Sequence, residues 1–228
     1  MQAIVRAVSV IIPCGPGERA WQPLLAGLAA AHQYRLEIIM SAVDPRPRDL
    51  ENPRVKWLSG APGRAGQLNR GVRASTGDWL WLLHADSRPN DENIAAAIRF
   101  AADGHRAIGW FDLAFDRDGP AAVRLNALGA NLRSRWFGLP FGDQGWLMPR
   151  AVYEQLGGFD PAFGRGEDLD FIVRAHRRGI ALERLRPALI SSARRYRRHG
   201  WLSTTCAHLW LTLRLWQRAR KRMGKDPE

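Results

Sequence analysis

The run Trp79-Leu80-Trp81-Leu82-Leu83 stops abruptly at His84-Ala85-Asp86-Ser87. An unbroken apolar run of this length, closed by polar residues, reads as a strand buried on both faces of a parallel sheet. Open α/β sheets bind ligands just beyond the carboxyl ends of such strands. His84 and Asp86 therefore stand where a metal or a phosphate would be held. The same residues also suit a plain strand end before a helix cap, since Asp is an ordinary turn residue.

The rest of the first half keeps the same grammar. Residues 8–12, 36–40 and 55–58 read as short strands, with helical patterns over 21–31 and 67–75 between them. Strands alternating with helices imply βαβ units and a parallel sheet whose strand ends form a crevice along one edge. Further on, residues 108–115 read as a longer strand, and 123–136 and 169–178 as helices, the last closed by Gly179. No repeat or linker-like tract divides the chain. It reads as one domain over 1–200, with a basic amphipathic C-terminal helix and tail over 201–228.

Composition narrows the chemistry. Of 34 basic residues only Lys56, Lys221 and Lys225 are lysines, and the net charge is +12. Arginine matches phosphate bidentately, which suits nucleotide diphosphates, nucleic acid or anionic lipid alike, although codon bias alone also enriches it. Cys14 and Cys206 are far apart, so neither a disulfide nor zinc-type spacing is expected, and a reducing cytoplasm is the default. The first residues lack a signal-peptide pattern, and no stretch approaches the ~18 apolar residues that span a bilayer. There is no Gly-x-Ser-x-Gly elbow for serine hydrolysis. Nucleic-acid binding is disfavoured for want of any recognition signature and because the acidic foci repel phosphate.

Two further foci stand out. Glu167-Asp168-Leu169-Asp170 opens a helix, where carboxylates favour the dipole, yet three in four positions exceed what capping needs. With Gly164 and Gly166 beside it, Asp168 is a candidate base for a hydroxyl. Gly63-Arg64-Ala65-Gly66-Gln67-Leu68-Asn69-Arg70-Gly71 offers backbone N–H groups at a helix start to an anion, but fits no phosphate-loop or dinucleotide pattern.

Taken in order, seven short segments resemble a small bacterial subgroup of the family 2 glycosyltransferases. They are Ile11-Ile12-Pro13, Gly63 to Gly71, Leu83 to Asp86, Gly142-Asp143-Gln144, Gly157 to Phe159, Glu167-Asp168 and Ser192 to Arg195. The resemblance implies a GT-A fold: a Rossmann-like, mixed but mostly parallel sheet flanked by helices. It implies inverting transfer of a sugar from a nucleotide-sugar donor to a hydroxyl acceptor. Asp86, with His84 beside it, would hold Mn²⁺ or Mg²⁺, and Asp168, with Glu167 beside it, would act on the acceptor hydroxyl. Pro13, Arg64, Asn69, Asp44, Arg194 and Arg195 fall on the donor and diphosphate side, and Asp143 and Gln144 on the acceptor side.

Two departures qualify that reading. Cys14-Gly15-Pro16-Gly17-Glu18 stands where relatives carry Asn-Glu, and Ala42 stands where an Asp reads the nucleotide base, leaving Asp44 to act from a shifted position. A degenerate GT-A domain that binds a nucleotide or a protein without catalysis is the alternative. Residues 201–216 pair an apolar face with the basic residues that follow, a pattern of helices lying on anionic lipid and equally of helices docked on their own domain or on a second subunit. Contact with the inner membrane face would make a lipid-linked acceptor natural.

Overall fold

The computed structural model describes residues 7–31, 33–164, 166–194 and 196. The expected C-terminal helix lies outside the described residues, as does Arg195.

The chain builds β1 (Val8–Cys14), α1 (Trp21–Ala30), β2 (Leu36–Ala42), β3 (Val55–Ser59), α2 (Arg64–Ala74) and β4 (Trp79–Leu82). These are the expected alternating units, and β1 pairs in parallel with both β2 and β4. After a two-residue strand β5 (Ser87–Arg88) come α3 (Asp91–Asp103), β6 (Ala107–Phe115), α4 (Val123–Phe137), β7 (Trp146–Pro149), α5 (Arg150–Gln155), α6 (Glu167–Arg177) and β8 (Ala181–Ser191). Helix α3 and strand β8 go beyond the sequence expectations. The signal for α3 is a capping box that uses Asn90 and Asn93 in place of the usual Ser/Thr and Glu. Strand β8 mixes polar and apolar residues because much of it is only half-buried.

The eight strands form one sheet in the order β3-β2-β1-β4-β7-β6-β8-β5. The chain leaves β1 toward β2 and β3, then returns to place β4 on the other side, which sets a switch point at the carboxyl ends of β1 and β4. β7 runs antiparallel to both β4 and β6 and joins the two parallel blocks. Both faces of β4 are covered, as its apolar run requires. Trp79 and Trp81 pack into the layer of Trp21, Leu24 and Phe100, whereas Leu80 and Leu82 pack into the layer of Leu68, Trp146 and Phe171.

Two helices start earlier than the apolar periodicity suggests. α2 begins at Arg64, not Gln67, and α6 at Glu167, not Leu169. The residues just before them, Gly63 with φ +120° and Gly166 with φ +98°, adopt backbone that side chains with a Cβ resist, so the glycines fix the boundaries. Arg64, Glu167 and Asp168 are thereby carried on first turns.

Candidate active site

The first residues of α2 and α6 meet across the carboxyl edge of the sheet. Arg64 Nη1 donates to Glu167 Oε1 at 2.6 Å, and Glu167 Oε2 accepts from Gly166 N at 3.0 Å. Glu167 is buried, so its charge needs this partner. Arg64 Nη2 makes a close contact with His84 Nε2. A guanidinium only donates, so Nε2 must be the accepting nitrogen of a neutral ring. His84, expected beside the metal acid Asp86, thus has its Nε2 against the Arg64 guanidinium.

A short 3₁₀ turn, Gly142–Gln144, lies beside this pair. Gly142 leaves no room for a Cβ against the Arg64 guanidinium, and its N–H donates to Asp168 Oδ2 at 3.2 Å. Gln144 is wholly buried. Its amide accepts from Ser134 Oγ and Phe141 N and donates to Phe111 O. Gln144, expected on the acceptor side, anchors the turn that carries Asp143.

Asp143 is a strongly perturbed acid. Burial, then the charges of Asp168 and Asp86, push its carboxyl up to about 6 against the pull of Arg64 and Arg133. Its Oδ1 is shut from solvent without a hydrogen-bond partner. Arg133, on α4, lies 3.3 Å above the Phe141 ring centroid. Burial lowers its guanidinium to about 10, although Asp168 and Asp143 favour its charge. The buried Asp143 thus lies within electrostatic reach of Asp86 and Asp168, with Arg64 and Arg133 as the opposing cations. Arg133 is a residue the sequence reading missed; a single Arg within a helix carries no local signal.

The strand end at Asp86 is held from the far end of the chain. Ser192 N donates to Asp86 O at 3.2 Å, and Asp118 holds Ser192 Oγ at 2.5 Å and Ala193 N at 2.7 Å. Arg194 forms an ion pair with Glu18. Hydrogen bonding to Glu18 raises the Arg194 guanidinium, and the charges of Asp86 and Asp118 add to that effect. Burial opposes the ionisation of Glu18, yet Arg194 and the neighbouring N–H groups hold its carboxyl below the usual range.

The two sequence departures touch each other. Asp44 Oδ2 accepts from Gly17 N at 2.7 Å, so the 15–18 insert is tied to the altered turn after β2. Ala42 is buried at the end of β2. Pro13, half-buried near the end of β1, pairs in register with Ser41. Asn69, expected on the donor side, makes three hydrogen bonds within the protein. Its side chain donates to Phe159 O at 2.8 Å and accepts from Phe159 N at 3.0 Å and Tyr153 Oη at 2.5 Å. It clamps the Gly157–Phe159 loop, and these bonds use one of its two amide hydrogens.

A divalent cation is tested by the donor set. Among the described residues no three His, Cys, Asp or Glu side chains converge on a common point to cage an ion. Mg²⁺ and Mn²⁺ at phosphate sites commonly use one or two carboxylates, with phosphate and water supplying the other oxygens. Asp86, together with the partnerless buried oxygen of Asp143, fits that second kind of site.

A family model described as "Glycosyltransferase like family 2" matches residues 7–224. A search of curated proteins returned no significant match. Among solved structures, residues 1–349 of S. aureus TarS in complex with UDP superpose with a TM-score of 0.62 at 16% identity, over 82% of this chain and 60% of that one. The mannosyltransferase PcManGT from Pyrobaculum calidifontis, in complex with GDP-Man and Mn²⁺, gives 0.57 at 19% identity, over 81% and 56%. The chain thus spans less than two thirds of the length of these structures. At such identities the likeness speaks for the fold.

Proposed function

The chain belongs to the glycosyltransferase like family 2, and from that premise we propose that it is an inverting glycosyltransferase acting on a nucleotide-diphosphate sugar and a hydroxyl acceptor. The observation that carries the proposal is the joining of the Gly142–Gln144 turn to Asp168 and of Arg64 to Glu167 at the carboxyl edge of the sheet, with Asp86 and Asp168 both within electrostatic reach of the buried Asp143. Structures with the same fold that contain UDP, or GDP-Man and Mn²⁺, support a nucleotide-sugar donor.

Each residue then has a distinct task. Asp168 accepts the proton as the acceptor oxygen forms its bond to the anomeric carbon. The bond from that carbon to the diphosphate breaks on the opposite side, and its electron pair leaves with the diphosphate oxygen. Gly142 N–H holds Asp168 Oδ2 and Leu169 N–H holds Oδ1, so both oxygens are oriented, and Oδ1 keeps a second lone pair for the proton. Glu167 orients Arg64, whose charge faces the crevice together with Arg194 and attracts the diphosphate. Asp86, with Asp143 behind it, is where Mn²⁺ or Mg²⁺ would be held, and the ion supplies charge stabilisation for the leaving group.

The test is Asp168→Asn, assayed against a panel of nucleotide sugars. Transfer should fall by roughly a hundredfold to ten-thousandfold, while nucleotide affinity measured by calorimetry stays within about twofold of wild type. Undiminished turnover would overturn the assignment. The altered turn Ser41-Ala42-Val43-Asp44, with Ala42 at the end of β2, motivates a second reading, a domain that binds a nucleotide or a protein without transfer. That reading requires nucleotide binding with no turnover for any donor.

A further inference from the structure

Helix α4 has two functional-looking sides. One side belongs to the site: Ser134 fixes Gln144, and Arg133 faces Asp143 and Asp168. The other is exposed and apolar. Leu125, Leu128 and Trp136 are 62%, 54% and 72% exposed. At 3.6 residues per turn, positions 125, 128, 132 and 136 fall in one stripe roughly 80° wide, and Arg124 and Arg135 border its edge.

Arg135 also lines a separate open cavity of about 780 Å³ at the α3, α4 and β8 surface. There it pairs with Asp112, which also attracts Arg184 at 3.6 Å. Arg99 and Arg186 line the same cavity, and Glu92 is the other acid on its wall. Among the described residues no carboxylate forms an ion pair with Arg99, Arg124 or Arg186. A leucine and tryptophan stripe edged by Arg124 and by Arg135, which is paired with Asp112, beside a cavity that carries Arg99 and Arg186, is the composition of a surface that rests in the headgroup region of anionic lipid.

We propose that the exposed face of α4 and the adjoining arginine cavity form a docking surface for an anionic bilayer. Leu125, Leu128 and Trp136 enter the acyl boundary, and Arg99, Arg124 and Arg186 meet lipid phosphates. Charge complementarity selects this occupant, because four arginines against two acids attract a negative surface and repel a second copy of the same face. Since α4 also supplies Arg133 to the site, the docked helix holds the crevice next to the membrane plane.

The experiment is vesicle co-sedimentation of the full chain, using phosphatidylcholine with and without phosphatidylglycerol. Wild type should sediment with the anionic vesicles only. Leu128→Glu with Trp136→Glu should reduce partitioning by roughly tenfold or more, the loss expected for removing two apolar anchors. Arg99→Glu with Arg186→Glu should reduce it and flatten its dependence on salt. Thermal unfolding of each variant checks that the fold is intact. The proposal is overturned if wild type ignores anionic vesicles, which is the result expected if residues after Tyr196 cover the stripe. It is equally overturned if wild type is a dimer that the Leu128 and Trp136 changes split, or if folded variants bind as wild type does.

Discussion

Asp143→Asn separates what the site needs from what the fold prefers. The carboxyl of Asp143 is pushed from 3.8 up to about 6 by burial and by the charges of Asp168 and Asp86. A rise of about two pKa units corresponds to roughly 3 kcal/mol favouring the protonated form in the folded state. The folded state therefore takes up a proton at a pH where the unfolded chain has already released it. Below about pH 4 both states hold the proton, and the acid imposes no electrostatic penalty. Between about pH 4 and 6 that penalty grows, and above pH 6 it is present in full.

Asparagine has the same shape without the charge. Urea unfolding of wild type and Asp143→Asn, in chelator across this range, should give nearly equal stabilities near pH 4. At pH 8 the variant should be more stable by up to ~3 kcal/mol, which is a Tm gain of order 5–10 °C for a chain of this size. Transfer activity should fall in the same variant, as happens where a strained site is relaxed. A stability difference that does not change with pH, or a variant less stable than wild type at pH 8, would refute the electrostatic account of this residue.

Three other outcomes can be checked directly. Arg64→Ala leaves the buried Glu167 carboxylate without its cation and should lower stability by about 1–3 kcal/mol, after allowance for the partial exposure of Arg64, as read by thermal unfolding. Asn69→Ala removes three contacts to Tyr153 and Phe159 and should cost about 2 kcal/mol while leaving nucleotide affinity near wild type; a selective loss of nucleotide binding would place Asn69 on the donor side. Asp86→Ala should remove the Mn²⁺-dependent part of nucleotide binding seen by calorimetry, and chelation of wild type should reproduce that loss; an unchanged titration rejects Asp86 as the ion's acid.

The strands were legible where burial is symmetrical. Trp79 to Leu82 are apolar because both sheet faces are covered, and the period needs no knowledge of distant residues. Asp86 and Asp168 could be singled out for the same reason, since a strand end and a glycine-flanked helix start are local patterns. What Gln144 and Asn69 do was not legible. Their amides are taken up by Ser134 and Phe111, and by Tyr153 and Phe159, which only the tertiary fold brings near. Glu18, Asp118 and Arg133 were missed on the same ground: each acts through a partner far along the chain, and nothing beside it in sequence marks that partner.

The reversed strand β7 has a consequence for how the protein is made. β4 is completed by Leu82, but its second edge is paired only when Trp146–Pro149 arrives, antiparallel, from much later in the chain. Until that segment leaves the ribosome, a four-residue edge containing two tryptophans lacks its neighbour. An open apolar edge is a template for joining other chains. Fragments ending before Trp146 should therefore aggregate during synthesis, and a translational pause upstream of that strand would be harmful while one downstream would not.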